Sequence, residues 1–175
     1  MIGHTYFMVN INLQPIVQIL SPKTKKAKNL IMFDRDGTIN RDFGYTYKLS
    51  DLFVLNKNLE IIKEFVNNDS TVLCITNQSG IGRGYFTKYE ATAFNEALSR
   101  ELKKYKIPVE VFYMCPHTPE SKCLCRKPGT LMIEMALMYS NVPSSSSVFI
   151  GDSKSDLAAC NKLGIKFIKV PKNNM

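Results

Sequence analysis

Two aspartates, Asp34 and Asp36, follow an apolar run and precede Gly37 and Thr38. Side chains alternate along an extended backbone, so the spacing predicts that both carboxylates project together while Arg35 points away. Gly37 lets backbone N–H groups approach a ligand closely. One carboxylate of such a pair can attack a phosphoryl group while the other shuttles the leaving-group proton. A calcium loop fits poorly, because its third ligand position would fall on Thr38 and the glycine comes too early.

Other residues extend this chemistry. Thr76, Asn77, Gln78 and Ser79 open a glycine-bearing turn that runs to Gly84. Their hydroxyl and amide donors suit phosphate oxygens, and the glycine spacing differs from the dinucleotide-binding pattern. Arg126 and Lys127 form a cationic pair able to clamp an anion. Asp152 ends a second apolar run, and Asp156 lies where it can cap or orient at a helix start. Clustered carboxylates need compensating charge, which a magnesium ion held by Asp34 and Asp152 would supply. A phosphate would then sit among the metal, Lys127, Thr76 and Asn77. These are the parts of phosphoryl transfer through an aspartyl-phosphate.

A separate cluster comprises Cys115, His117, Cys123 and Cys125. Three thiols and an imidazole this close can complete a tetrahedral zinc site with no position left for water, so the expected role is structural. Cys74 and Cys160 fall outside it and read as core residues.

The elements that must position these residues follow from periodicity. Strands are predicted over 30–33, 71–75, 109–114, 147–150 and 165–170, and helices over 59–66 and 130–139. Thr87 and Glu90 form a capping box for a helix running to about residue 105, and Gly164 closes another. This alternation predicts an α/β fold, an open doubly wound parallel sheet with helices on both faces and ligands at the strands' carboxyl ends. Residues 1–28 are expected to stand apart as an N-terminal extension, with a possible short strand between Ile11 and Leu20 and a basic linker over 21–28. Residues 29–175 form the expected catalytic domain.

The chain has 175 residues and a net charge of +8, which favours an anionic partner. No signal peptide is evident and no apolar run is long enough to span a bilayer, so a soluble, cytoplasmic protein is expected.

The sequence resembles the haloacid dehalogenase (HAD) superfamily of phosphatases. Its four motifs match Asp34-x-Asp36-Gly37-Thr38, Thr76, Lys127 and Gly151-Asp152-x-x-x-Asp156. The residues 34–40, 76–81, 115–117 and 123–128 resemble the zinc-loop subgroup of heptose-bisphosphate and histidinol phosphatases. The resemblance implies Asp34 as nucleophile, Asp36 as general acid/base, and magnesium on Asp34, Asp152 and the Asp36 carbonyl, with Asp156 behind them. It also implies that Lys127 and Thr76 steady the phosphoryl group while Arg126 reads the far end of the substrate. No large cap domain is expected, so loops shape the pocket.

Asp42, Gly44 and Tyr45, together with Ser79 and Arg83, look like the heptose enzymes. They point to the 7-phosphate of D-glycero-D-manno-heptose 1,7-bisphosphate, a precursor of cell-surface glycans. The short zinc loop keeps histidinol phosphate as an alternative. A reading from another class is a zinc-stabilised nucleic-acid-binding module or polynucleotide end-phosphatase. It gains from the basic charge and loses because uncompensated carboxylates repel phosphodiesters. The expected partner is a small phosphorylated sugar, bound by a monomer, with neither membrane nor nucleic acid involved.

Overall fold

The computed structural model describes residues 13–21 and 26–172. Six strands form one sheet: β1 (Ile16–Ile19), β2 (Asn29–Phe33), β3 (Ser70–Asn77), β4 (Val111–Cys115), β5 (Ser147–Gly151) and β6 (Lys166–Lys169). Their spatial order is β1-β4-β3-β2-β5-β6. Five strands run parallel, and β1 pairs antiparallel with β4, Ile16 opposite Met114. The expected parallel sheet therefore carries an antiparallel edge strand. Part of the expected N-terminal extension shares one sheet with the strands that follow it; Ile11 and residues 22–25, half of the basic linker, lie outside the described residues.

The inner strands are buried along their length because helices cover both faces. On one face, α1 (Asn56–Lys63) buries Leu59 and Ile62. Beside it, α3 (Lys88–Lys104) buries Phe94, Leu98 and Leu102. On the other, α4 (Leu131–Ser140) buries Met132, Ile133 and Ala136, and α5 (Lys154–Leu163) buries Ala159 and Cys160. Full burial of a large apolar side chain stabilises the fold by roughly 1.5–3 kcal/mol. A short helix, α2 (Ser79–Gly82), occupies the glycine-bearing turn after β3.

The helix expected over 59–66 starts three residues earlier, at Asn56, without a side-chain cap from Leu55. Thr87 and Glu90 do form a capping box on α3, and Ser153 and Asp156 form a second on α5. From β2 the chain builds outward through β3 and β4, then crosses back to place β5 on the other side of β2. The crevice at the carboxyl ends of β2 and β5 is thus the topological switch point, where open α/β sheets bind ligands.

Candidate active site

Asp34 emerges directly from β2, and its N–H extends the ladder by donating to Ile150 O of β5 at 3.1 Å. Asp152 emerges from β5 on the other side of the crevice. Gly37, at φ +81°, lets the turn after β2 pack closely against Asp152, because a Cβ there would lie 2.8 Å from Asp152 Oδ2. Thr38 donates its hydroxyl to Asp152 Oδ1 at 3.1 Å.

Lys127 supplies the positive charge. Its side chain is almost fully buried, with Nζ 2.9 Å from Asp34 Oδ1 and 2.8 Å from Asp156 Oδ1. It also donates to Ile75 O at 2.7 Å. Asp156 Oδ2 accepts from Ser153 N at the start of α5, whereas Oδ1 depends on the ion pair with Lys127. Burial pushes Lys127 down, but Asp156 and Asp34 together outweigh it and hold the ammonium above its ordinary value. Burial raises the Asp34 carboxyl to about 7, with Lys127 opposing the rise. Burial also raises Asp152, against the hydrogen bond from Thr38.

A cleft of about 170 Å³ opens over these groups. Asp34, Asp36, Thr76, Asn77 and Asp152 line it, and Asp42 and Gly44 close one side. Ser153, Ser155 and Lys172 complete the wall. These last three were not singled out in the sequence; the serines flank Lys154 at the start of α5, a position that could have marked them.

Thr76 accepts from Gln78 Nε2 at 2.8 Å, so its own hydroxyl proton remains available to a ligand. Asn77 is engaged with the Lys127 backbone, donating to its carbonyl at 3.1 Å and accepting from its N–H at 3.0 Å. Gln78 is buried and also donates to Asp36 Oδ2 at 2.8 Å. Asn77 and Gln78 thus spend these hydrogen bonds within the protein, holding Lys127, Thr76 and Asp36.

Arg35 does not point away from its neighbours. It is fully buried, and its guanidinium turns back to grip both oxygens of Asp36. Alternation along a strand sets only where this side chain begins, and its long end returns to Asp36.

Other expected substrate contacts lie farther out. Tyr45 packs edge-on against Tyr85, with ring centroids 4.8 Å apart. Arg83 stands 3.8 Å from Glu120, and Arg126 donates to His117 O at 3.3 Å. None of these residues, nor Ser79, lines the cleft.

The carboxylate oxygens of Asp34, Asp152 and Asp156 gather within 4.8 Å of one another, and Lys127 pairs with Asp34 and Asp156. Such an excess of hard oxygen donors fits a magnesium ion, with Asp34 and Asp152 as its ligands and Asp156 committed to Lys127. In the second cluster, the donor atoms of Cys115, His117, Cys123 and Cys125 stand 3.2–3.6 Å apart where paired. That is close to the edge of about 3.8 Å of a tetrahedron with zinc–sulfur bonds of about 2.3 Å. Cys74 and Cys160 are buried elsewhere in the core.

Comparison with known proteins agrees with this geometry. A family model described as HAD-hydrolase-like matches residues 124–174. The probable D-glycero-D-manno-heptose-1,7-bisphosphate 7-phosphatase of Thermoplasma acidophilum is 37% identical over 86% of this chain and 95% of its own length. The D-glycero-beta-D-manno-heptose-1,7-bisphosphate 7-phosphatase of Haemophilus ducreyi is 33% identical over 80% of this chain and 81% of its own. The chain belongs to the HAD-like phosphatases and is a phosphoric monoester hydrolase. Among solved structures, the D,D-heptose 1,7-bisphosphate phosphatase of B. bronchiseptica, complexed with magnesium and phosphate, superposes with a TM-score of 0.72. It is 33% identical, over 79% of this chain and 78% of that one. Among the described residues, no helix is long and apolar enough to cross a membrane.

Proposed function

We propose that this phosphatase removes the 7-phosphate of D-glycero-D-manno-heptose 1,7-bisphosphate through a phosphorylated Asp34. The observation that carries the mechanism is the contact of Lys127 with Asp34 at the switch point. Asp34 Oδ1 is occupied by Lys127 Nζ and by Arg35 N–H at 2.7 Å, which leaves Oδ2 to attack phosphorus. Asp36 gives a proton to the departing sugar oxygen and takes one from the water that later hydrolyses the acyl phosphate. Lys127 and the Thr76 hydroxyl hold the phosphoryl oxygens as charge shifts onto them. A magnesium ion bound by Asp34, Asp152 and the Asp36 carbonyl would neutralise phosphate charge during transfer.

The substrate follows from the names of the relatives and from Arg126. Its bond to His117 O ties it to the zinc loop outside the cleft lining, and its planar guanidinium would take the second phosphate. Histidinol phosphate offers an amine and an imidazole there instead. The test is kcat/KM for the two substrates on one preparation. The bisphosphate should be preferred by a wide margin, and Arg126→Ala should narrow it. A preference for histidinol phosphate would replace the substrate and leave the phosphatase chemistry in place.

A further inference from the structure

No step of the phosphatase chemistry uses the Arg35 side chain, yet its guanidinium is fully buried and every nitrogen is engaged. Nε donates to Asp36 Oδ1 at 3.1 Å and Nη2 to Asp36 Oδ2 at 2.8 Å. Nη2 also donates to Gln78 Oε1 at 2.9 Å and to Thr46 O, in the loop that carries Asp42 and Gly44. Nη1 donates to Asn95 Oδ1 at 3.0 Å, and the Phe94 ring lies 4.8 Å from the guanidinium carbon. Asn95, itself fully buried on α3, donates from Nδ2 to Gln18 Oε1 of β1 at 3.1 Å. Gln18 Nε2 is held in turn by Thr92 O at 3.0 Å.

We propose that Arg35 is a positioning residue acting through Asp36, and that Asn95 and Gln18 fix its orientation. The antiparallel edge strand thereby supports the acid/base step. Burying a guanidinium is costly unless its donors are met, and its planar fork imposes direction as well as charge. Here the fork is aimed at the carboxylate assigned to proton transfer, where misplacement by a fraction of an ångström lowers rate. The inference rests on the acid/base role of Asp36 given under the proposed function.

The test separates the two ideas by leaving group. A sugar alkoxide departs with a proton from Asp36, whereas p-nitrophenolate leaves without one. The single-turnover rate of leaving-group release, which precedes the acyl-phosphate hydrolysis that both substrates share, is compared for the heptose bisphosphate and p-nitrophenyl phosphate in Asn95→Ala, Gln18→Ala and Arg35→Lys. Each variant should lose about tenfold or more on the sugar phosphate, while p-nitrophenyl phosphate stays within about threefold. Asn95→Asp, which retains the acceptor for Arg35, should recover most of the sugar-phosphate rate. Adding Asn95→Ala to Asp36→Asn should cause little further loss, since both act on one proton transfer. Damage to folding lowers both substrates alike, so equal losses would overturn the proposal. A selective loss for Asp36→Asn without one for the three variants would refute the positioning role alone. Absence of any selective loss in Asp36→Asn would remove the acid/base reading and the proposal with it.

Discussion

Lys127 Nζ lies 2.9 Å from Asp34 Oδ1, joining the loop behind the zinc cluster to the end of the central strand. Because Lys127 also holds Asp156, one buried ammonium compensates two carboxylates. Lys127→Met should therefore remove activity and destabilise the protein by about 3–5 kcal/mol, the usual effect of leaving buried charge unpaired. Chemical denaturation measures the loss. Stability equal to wild type would show that the pair contributes nothing.

The raised carboxyl of Asp34 makes metal and pH act together. Its folded-state value of about 7 exceeds the ordinary 3.8, so the folded chain holds a proton that the unfolded chain has already released. Stability without metal should accordingly fall as pH rises from about 4 to about 7. A divalent cation takes the place of that proton, so magnesium should raise the Tm more at pH 8 than at pH 5.5. Equal shifts at both pH values would contradict this assignment.

Gly37→Ala probes the crevice without replacing a charged side chain. The new Cβ would need φ +81° and would press on Asp152 Oδ2. Turnover should fall at least tenfold with a higher magnesium requirement, read from a metal titration of activity. Wild-type kinetics would show that the close approach is not required.

The zinc loop should hold one zinc per chain. Cys123→Ser should lower the metal content and the Tm, while Cys160→Ala should leave the zinc in place. Elemental analysis of both variants decides it, and full zinc occupancy in Cys123→Ser would count against the ligand set.

Much of this was legible in the sequence because the signals are local. An apolar strand ending in aspartate occurs at both Phe33-Asp34 and Gly151-Asp152, and strand pairing then brings the two ends together. The capping box at Thr87 marked the start of α3 for the same reason. The path of Arg35 was not legible. Its partner Asn95 lies 60 residues away in sequence, and only the packing of α3 against the sheet brings them into contact. Nor was the attachment of β1: its four residues alternate in burial, but nothing local specifies antiparallel pairing with β4. Lys172 joins the cleft only because the chain returns past Asp152 after β6.

The most direct test of the mechanism is phosphate release from D-glycero-D-manno-heptose 1,7-bisphosphate with magnesium, comparing wild type with Asp34→Asn. The amide can neither attack phosphorus nor balance metal charge. The expected result is release by the wild type, with the 1-phosphate retained on the product, and a loss of about 10³-fold or more in the variant. Release at the wild-type rate by a clean Asp34→Asn preparation would contradict nucleophilic catalysis by Asp34.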